Sequence, residues 1–312
     1  MSNPELSIIA PMYNEEDVID IFFKEVQSQL AKHPIDYEII CINDGSKDNT
    51  YGKLKEYSAN DSRIKVINFS RNFGKEQALT AGIDYALGEA AIPIDCDLQD
   101  PPELMLEMYA KWKEGFDVVL AKRVDRKSDG FVKRTTSSLF YKIIHKISDV
   151  EIPENVGDFR LIDRKVIDVL KTYRERSRFM KGIFASVGFN QVTIEYTRPS
   201  RAAGTTSWNY FNLYKLAIDG VISFTSMPLK IWSYVGATTA IGSFFYGVYL
   251  IIKTLVFGVD LPGYASMMVV FLVMSGLILL SLGVIGEYLS RIFTEVKKRP
   301  VYIVMETLGF DE

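Results

Sequence analysis

Leu6-Ser-Ile-Ile-Ala10-Pro11-Met-Tyr13-Asn14-Glu15-Glu16 opens the chain with a short uncharged apolar run that stops at a proline and turns polar. Residues 6–10 read as a buried strand, and residues 16–31 read as the helix that follows it. The same alternation recurs downstream. Residues 37–42 are a second strand, with a helix around 50–58; residues 64–69 are a third, with a helix over 76–87. Residues 90–94 form a fourth strand. The helix after it opens at Pro101-Pro102, where proline suits the first turn, and residues 116–121 form a fifth strand. Regular strand–helix alternation with near-continuous apolar strands implies a doubly wound, mostly parallel sheet with helices on both faces. Such sheets bind ligands at the carboxyl ends of their strands, so the polar clusters found there are the candidate site.

A length of 312 residues accommodates one domain with a full core and something smaller. The net charge of −3 argues against a nucleic-acid partner, which calls for a basic stripe. Cys41 and Cys96 lie in apolar, strand-like runs and read as buried, reduced thiols. His33 and His145 are isolated, which disfavours a histidine-based zinc site. With a strand beginning at Leu6, no room is expected for a cleavable signal peptide.

The C-terminal third changes character. Residues 233–252 carry no charge, Lys253 is followed by further apolar residues to Gly258, and residues 261–286 are again uncharged. Each run is long enough for the ~20 residues of a spanning helix. The connector Gly258-Val-Asp-Leu-Pro-Gly263 is short, so a two-helix transmembrane hairpin is expected. Lys230 precedes the first run; Arg291, Lys297, Lys298 and Arg299 follow the second. The positive-inside rule then puts both termini and everything N-terminal of the hairpin in the cytoplasm, as expected of a two-span inner (plasma) membrane protein. Lys253 would snorkel at the far interface. Over 209–226, Phe211, Tyr214, Ile218, Val221 and Ile222 recur at three- and four-residue spacing, with Lys215 and Asp219 between them. An amphipathic helix on the bilayer surface is preferred there over one packed on its own domain.

Two phosphate-binding patterns are missing: no G-x-G-x-x-G follows the first strand, and Gly74-Lys75 lacks the rest of a P-loop. Strand four instead ends in Ile94-Asp95-Cys96-Asp97-Leu98-Gln99-Asp100. Carboxylates at i and i+2 of a strand end suit a hard divalent cation, Mg²⁺ or Mn²⁺, bridging a diphosphate. Strand one ends in Pro11-Met-Tyr13-Asn14-Glu15-Glu16 and strand two in Asn43-Asp44-Gly45-Ser46. Their carboxylates can accept from a base N–H and ribose hydroxyls. Helix capping by Asn14 and a plain Asp-Gly turn remain the alternatives at this point.

Taken in order, these motifs, then Ser70-Arg-Asn-Phe-Gly-Lys75-Glu-Gln-Ala78, Gly157-Asp158-Phe159-Arg160-Leu161-Ile162-Asp163, Arg178-Phe-Met-Lys-Gly182, Arg201-Ala-Ala-Gly204-Thr-Thr-Ser207-Trp208 and Ala217-Ile-Asp-Gly220 resemble family 2 glycosyltransferases of the polyprenyl-phosphate hexose branch. The pattern is most similar to bactoprenol (undecaprenyl-phosphate) glucosyltransferases and more distantly to dolichol-phosphate mannose synthases. The resemblance implies a GT-A-like, Rossmann-type catalytic domain over 1–208, a juxtamembrane helix over 209–229, a hairpin over 230–290 and a cytoplasmic tail over 291–312. It implies that Pro11, Tyr13, Glu15 and Asp44 hold the nucleoside, with Lys75 near the diphosphate. Asp95, Asp97 and Gln99 would hold the metal, and Asp95 would also touch the nucleotide-sugar. Asp158 occupies the position usually taken as catalytic, Asp97 acts with it, and Arg201 and Ser207 lie near the phosphates. For the acceptor phosphate, Arg123 and Arg134 are the expected grips, because a guanidinium pairs with phosphate through two bonds.

The implied reaction moves a hexose, glucose from UDP-glucose as the first choice, onto polyprenyl phosphate with inversion. The implied partners are the nucleotide-sugar donor, the polyprenyl phosphate lipid and the membrane, with self-association left open. The rivals are a GDP-mannose-dependent synthase, a processive polysaccharide synthase and a non-catalytic nucleotide-sugar binder.

Overall fold

A computed structural model describes residues 3–124, 153, 155–176, 178, 180–197, 227–258 and 263–310. The expected amphipathic helix over 209–226 lies outside them. The described residues fall into two compact units, one formed by the chain up to residue 220 together with the chain from Arg299, the other by the chain between.

The first unit is built on an eight-stranded sheet. The strands are β1 (Leu6–Met12), β2 (Tyr37–Asn43), β3 (Ile64–Phe69), β4 (Ala90–Pro93), β5 (Val118–Arg123), β6 (Val156–Asp163), β7 (Gln191–Tyr196) and β8 (Val304–Leu308). Their order is β7-β5-β6-β4-β1-β2-β3-β8. The heart of the sheet, β3-β2-β1-β4, is parallel throughout, and all seven residues of β2 are buried, Glu38 and Asn43 included, as expected of a strand covered on both faces.

Alternate side chains of a strand face opposite layers. Leu6, Ile8, Ala10 and Met12 share one core with Phe22, Phe23 and Val26 of α1 (Ile19–Leu30), Leu54 of α2 (Thr50–Asn60), and Met105 and Met108 of α4 (Leu104–Lys113). On the opposite face α3 (Lys75–Tyr85) lies very close: a Cβ on Gly82 would come within 2.1 Å of Ile9 Cγ2. Glycine is what lets this helix, and the lysine at its start, sit down on the sheet. α5 (Arg164–Thr172) and the short α6 (Met180–Ser186) complete the described helices of this unit.

Two features depart from a purely parallel sheet. Strand β5 does not lie beside β4, because β6 is inserted between them, antiparallel to both. The expectation ran past β6 because Asp158 and Arg160 interrupt its apolar residues; Phe159 between them and Leu161 after them are buried in the main core. The second departure is at the C-terminus. Residues 291–312, expected as a tail, contain β8, which pairs antiparallel with β3 and closes that edge of the sheet. An edge strand with a mostly exposed surface leaves no apolar alternation to read.

The second unit holds α7 (Met227–Phe257) and α8 (Tyr264–Val296). Both are long and apolar enough to cross a membrane, and neither buries its apolar window within the protein. Leu255 and Phe257 are 80% and 82% exposed. A helix from a soluble core would be covered; an uncovered apolar surface of this length suggests membrane association.

Candidate active site

The loops after β1, β2 and β3 are sewn together by short polar side chains. Asn14 adopts a left-handed backbone, with φ of 56°. Its Oδ1 accepts from the Lys47 amide at 2.8 Å, and its own amide donates to Ser46 Oγ at 3.0 Å. It is therefore a cross-link and no helix cap; α1 starts at Ile19, after Val18. The Glu15 amide donates to Thr50 Oγ1 at 2.8 Å, and Glu16 accepts from the Asn49 amide at 2.7 Å. Gly45 has φ of +63°, and a Cβ there would lie 2.3 Å from the carbonyl carbon of Arg71. Only glycine permits that approach of the second loop to the third. Asp44 is buried, and its two carboxylate oxygens accept from the amides of Phe73 at 2.7 Å and Gly74 at 2.9 Å. Burial pushes the Asp44 carboxyl upward, while those two amides and Arg71 act against the rise.

Gly74 opens α3, so Asp44 fixes the start of the helix that carries Lys75. The Lys75 ammonium lies 2.7 Å from Asp95, at the end of β4, and 3.2 Å from Oδ2 of Asp158, near the start of β6. Desolvation tends to lower the lysine's pKa; the two carboxylates outweigh it, and Lys75 is held charged well above its usual range. Burial likewise drives Asp158 upward, and Lys75, Lys181 and Arg160 together overcome it, so its carboxyl stays below the usual range. Oδ1 of Asp158 is buried with no hydrogen-bond partner among the described residues. Arg160 does not take it: its guanidinium donates to the Gly157 carbonyl at 2.6 Å and lies over the Phe184 ring.

Beside this bridge stands Glu76, which accepts from the Met180 amide at 2.9 Å. Burial first, then the Asp158 charge, push its carboxyl up to about 7. Glu76 and Lys181 were not among the expected site residues. Glu76 directly follows Lys75, which was the available signal, but a charge in a helix's first turn reads as a solvated face.

Residues 95–100 form a tight loop in which Leu98 has φ of 54°, unusual for a residue with a branched side chain. The Gln99 amide donates to Asp97 Oδ1 at 3.1 Å. Cys96 is buried and its thiol faces Glu15; burial, then the charges of Glu15, Asp95 and Asp97, hold it protonated. Cys41 is buried and unpaired as well. Asp100 is buried, accepting from the Tyr196 hydroxyl at 2.5 Å, and so ties the loop to β7. Among the described residues no three His, Cys, Asp or Glu side chains gather at one point. The donor set offered here is two carboxylates, Asp95 and Asp97, with the neighbouring Gln99. It fits a hard divalent cation that takes its remaining ligands from a diphosphate and water. A cation already sits against Asp95 in the form of Lys75.

Pro11, Lys75, Asp95 and Asp158 line one crevice together with Asp100 and Phe159. Tyr13 is 40% exposed on its rim loop. Arg123 ends β5, its amide donating to the Asn155 carbonyl at 3.0 Å. Arg134, Arg201 and Ser207 lie outside the described residues.

The family profile of glycosyl transferase family 2 matches residues 7–170, more than half of the chain and the whole of the crevice just described. The chain belongs to glycosyl transferase family 2. Its sheet, mostly parallel at the heart with a mixed flank, is the GT-A-like arrangement of a glycosyltransferase. The GtrB C-terminal hairpin matches residues 227–292 of this family 2 chain, covering most of α7 and α8. An uncharacterised glycosyltransferase of Synechocystis sp. is 51% identical over 98% of this chain and 96% of its own. The SfII prophage-derived bactoprenol glucosyl transferase of Shigella flexneri is 46% identical over 97% of this chain and 98% of its own. Among solved structures, glucosyl-3-phosphoglycerate synthase from Mycobacterium tuberculosis, in complex with Mn²⁺, UDP-glucose and phosphoglyceric acid, covers 70% of this chain and 78% of its own. That match has 17% identity and a TM-score of 0.47.

Proposed function

We propose that this glycosyltransferase moves glucose from UDP-glucose to the phosphate of a polyprenyl phosphate lipid at the cytoplasmic membrane face, with inversion at the sugar C1. The observation that carries the reading is the end-to-end similarity to a relative named bactoprenol glucosyl transferase, which runs through both the crevice and the apolar helices. In the reaction a phosphate oxygen of the lipid attacks C1. The bond from C1 to the diphosphate oxygen breaks, and the nucleoside diphosphate leaves with the electron pair. A phosphate monoester, with its second pKa near ~6, is largely deprotonated at neutral pH and needs little help from a base.

The roles follow from that chemistry. Pro11, Tyr13 and Glu15 hold the nucleoside, and Asp44 shapes the loop beside it. Lys75 turns its ammonium to the diphosphate, where charge grows as the bond breaks. Asp158, ionised and itself lining the crevice, orients Lys75 and the basic groups meeting the acceptor, with Arg123 and Arg134 as the phosphate grips and Arg201 and Ser207 near the donor phosphates. Asp95, Asp97 and Gln99 would hold Mg²⁺ or Mn²⁺, which when bound offsets charge on the leaving diphosphate.

Purified protein, polyprenyl phosphate and a panel of radiolabelled nucleotide-sugars test the reading. Label from UDP-glucose is expected in the lipid extract. Label from GDP-mannose alone would shift the assignment to a mannose synthase, and label from none of the panel would favour a non-catalytic binder.

A further inference from the structure

Tyr302 stands between the end of α8 and β8, outside the β3–β8 ladder, which begins at Val304. Its ring is stacked on Phe69, the last residue of β3, with centroids 5.2 Å apart and planes 11° from parallel. Phe69 in turn meets Phe73 edge-on at 5.6 Å. The Tyr302 hydroxyl donates to Asp84 of α3 at 2.9 Å, and burial with the Asp84 charge keeps that phenol protonated. One residue on, the Ile303 carbonyl accepts from the Ser70 amide at 3.1 Å. Three bonds or stacks therefore run from this short segment into both ends of the structure that carries Lys75: the loop 70–74 before α3, and the last turn of α3 itself. The ladder's pairing slips between Asn68 and Phe69, so regular strand geometry does not fix the loop's exit. The aromatic stack and the Asp44 clamp do.

We propose that Tyr302 is a positioning residue for the loop 70–75, so that the segment following the apolar helices is part of the donor site. This rests on the proposed reading of Lys75 as a diphosphate contact. Phe69 has Tyr302 on its flat face and Phe73 on its edge, and the Phe73 amide is held by Asp44. Loss of the flat ring at 302 frees Phe69 to rotate, and Phe73 loses the surface it abuts. The loop then pays ordering entropy when the donor arrives, which weakens donor binding while the chemical step, once bound, is unchanged.

The test uses the full chain in detergent with three variants: Tyr302→Phe, Tyr302→Leu and Tyr302→Met. Donor KM, kcat, UDP affinity with Mn²⁺ and the thermal midpoint are read for each. Tyr302→Phe keeps the stack and is expected to hold donor KM near the wild-type value. Tyr302→Leu is expected to raise donor KM and UDP Kd about tenfold with kcat at saturating donor within about twofold. Tyr302→Met keeps length and burial without a flat ring, and is read the same way should the leucine variant melt below assay temperature. A leucine or methionine variant that binds UDP as tightly as wild type, whatever its thermal midpoint, overturns the positioning role alone. A wild-type protein that binds no nucleoside diphosphate overturns the donor-site reading with it.

Discussion

Lys75 bridges Asp95 and Asp158, its ammonium 2.7 Å from the first and 3.2 Å from the second. One cation thus serves two anions brought together from different strands, and it belongs to a helix whose start is clamped by a third carboxylate, Asp44.

Removal of that cation should be visible in the pH profile. Burial tends to raise the Asp158 carboxyl, and Lys75 is the foremost group holding it down. In Lys75→Met the carboxyl should therefore titrate at higher pH, and the acid limb of kcat/KM should move upward with it. The loss of charge opposite the leaving diphosphate should also cost about 10²-fold in kcat/KM. An acid limb left at its wild-type position would mean that Lys75 does not govern Asp158.

Asp97→Asn removes one of the two carboxylates of the candidate metal set, Asp95 and Asp97, while keeping the acceptor for the Gln99 amide. Transfer should be abolished with the thermal midpoint within a few degrees of wild type. EDTA-treated wild type should recover with added Mn²⁺ or Mg²⁺, and the variant should not. Full activity of wild type in EDTA would remove the metal from the scheme.

Glu76 gives a stability prediction whose sign follows from linkage. Its carboxyl, ordinarily near 4.5, is pushed up to about 7 in the folded protein. Between those values the folded state keeps a proton that the unfolded chain has released, so this group's stabilisation is full below pH 4.5 and is lost as pH rises to 7. The size is roughly 3 kcal/mol. Asp158, shifted the opposite way, changes stability only at lower pH and does not mask the window. Glu76→Gln should flatten the slope and be the more stable protein at pH 8 but not at pH 4.5. Equal stability differences at both pH values would show that Glu76 ionises normally.

The parallel heart of the sheet was legible because its strands are buried on both faces and read as near-continuous apolar runs. Asp95, Asp158 and Lys75 were legible as motif positions, and the structure brings them to one crevice. What could not be read is what depends on distant partners. Strand β6 carries charged residues that its core neighbours make acceptable. The Glu76 shift arises first from burial and then from the charge of Asp158, far away in the chain. Asp44 was expected at the nucleoside, yet both of its oxygens accept loop amides, a use no linear spacing announces.

Strand β8 yields the last prediction, on topology. It follows α8 and yet pairs with β3, which precedes α7, so the chain leaves one sheet, runs through both apolar helices and returns to it. A sheet cannot be shared across a bilayer, because its backbone hydrogen bonds would have to form through lipid. The number of crossings between residues 227 and 298 must therefore be even: two if both helices span, none if neither does. Uncovered apolar side chains along both helices favour two. By the positive-inside rule, Lys230, Arg291, Lys297, Lys298 and Arg299 would put the shared side in the cytoplasm. Reporter tags at the N-terminus and after Glu312 should both be cytoplasmic, and a tag inserted at Asp260 should report the opposite face. Tags placing the two termini on opposite sides would rule out β8 pairing with β3 in the membrane-bound protein. A cytoplasmic signal at Asp260 would leave the sheet intact and show that the helices lie on the membrane without crossing it.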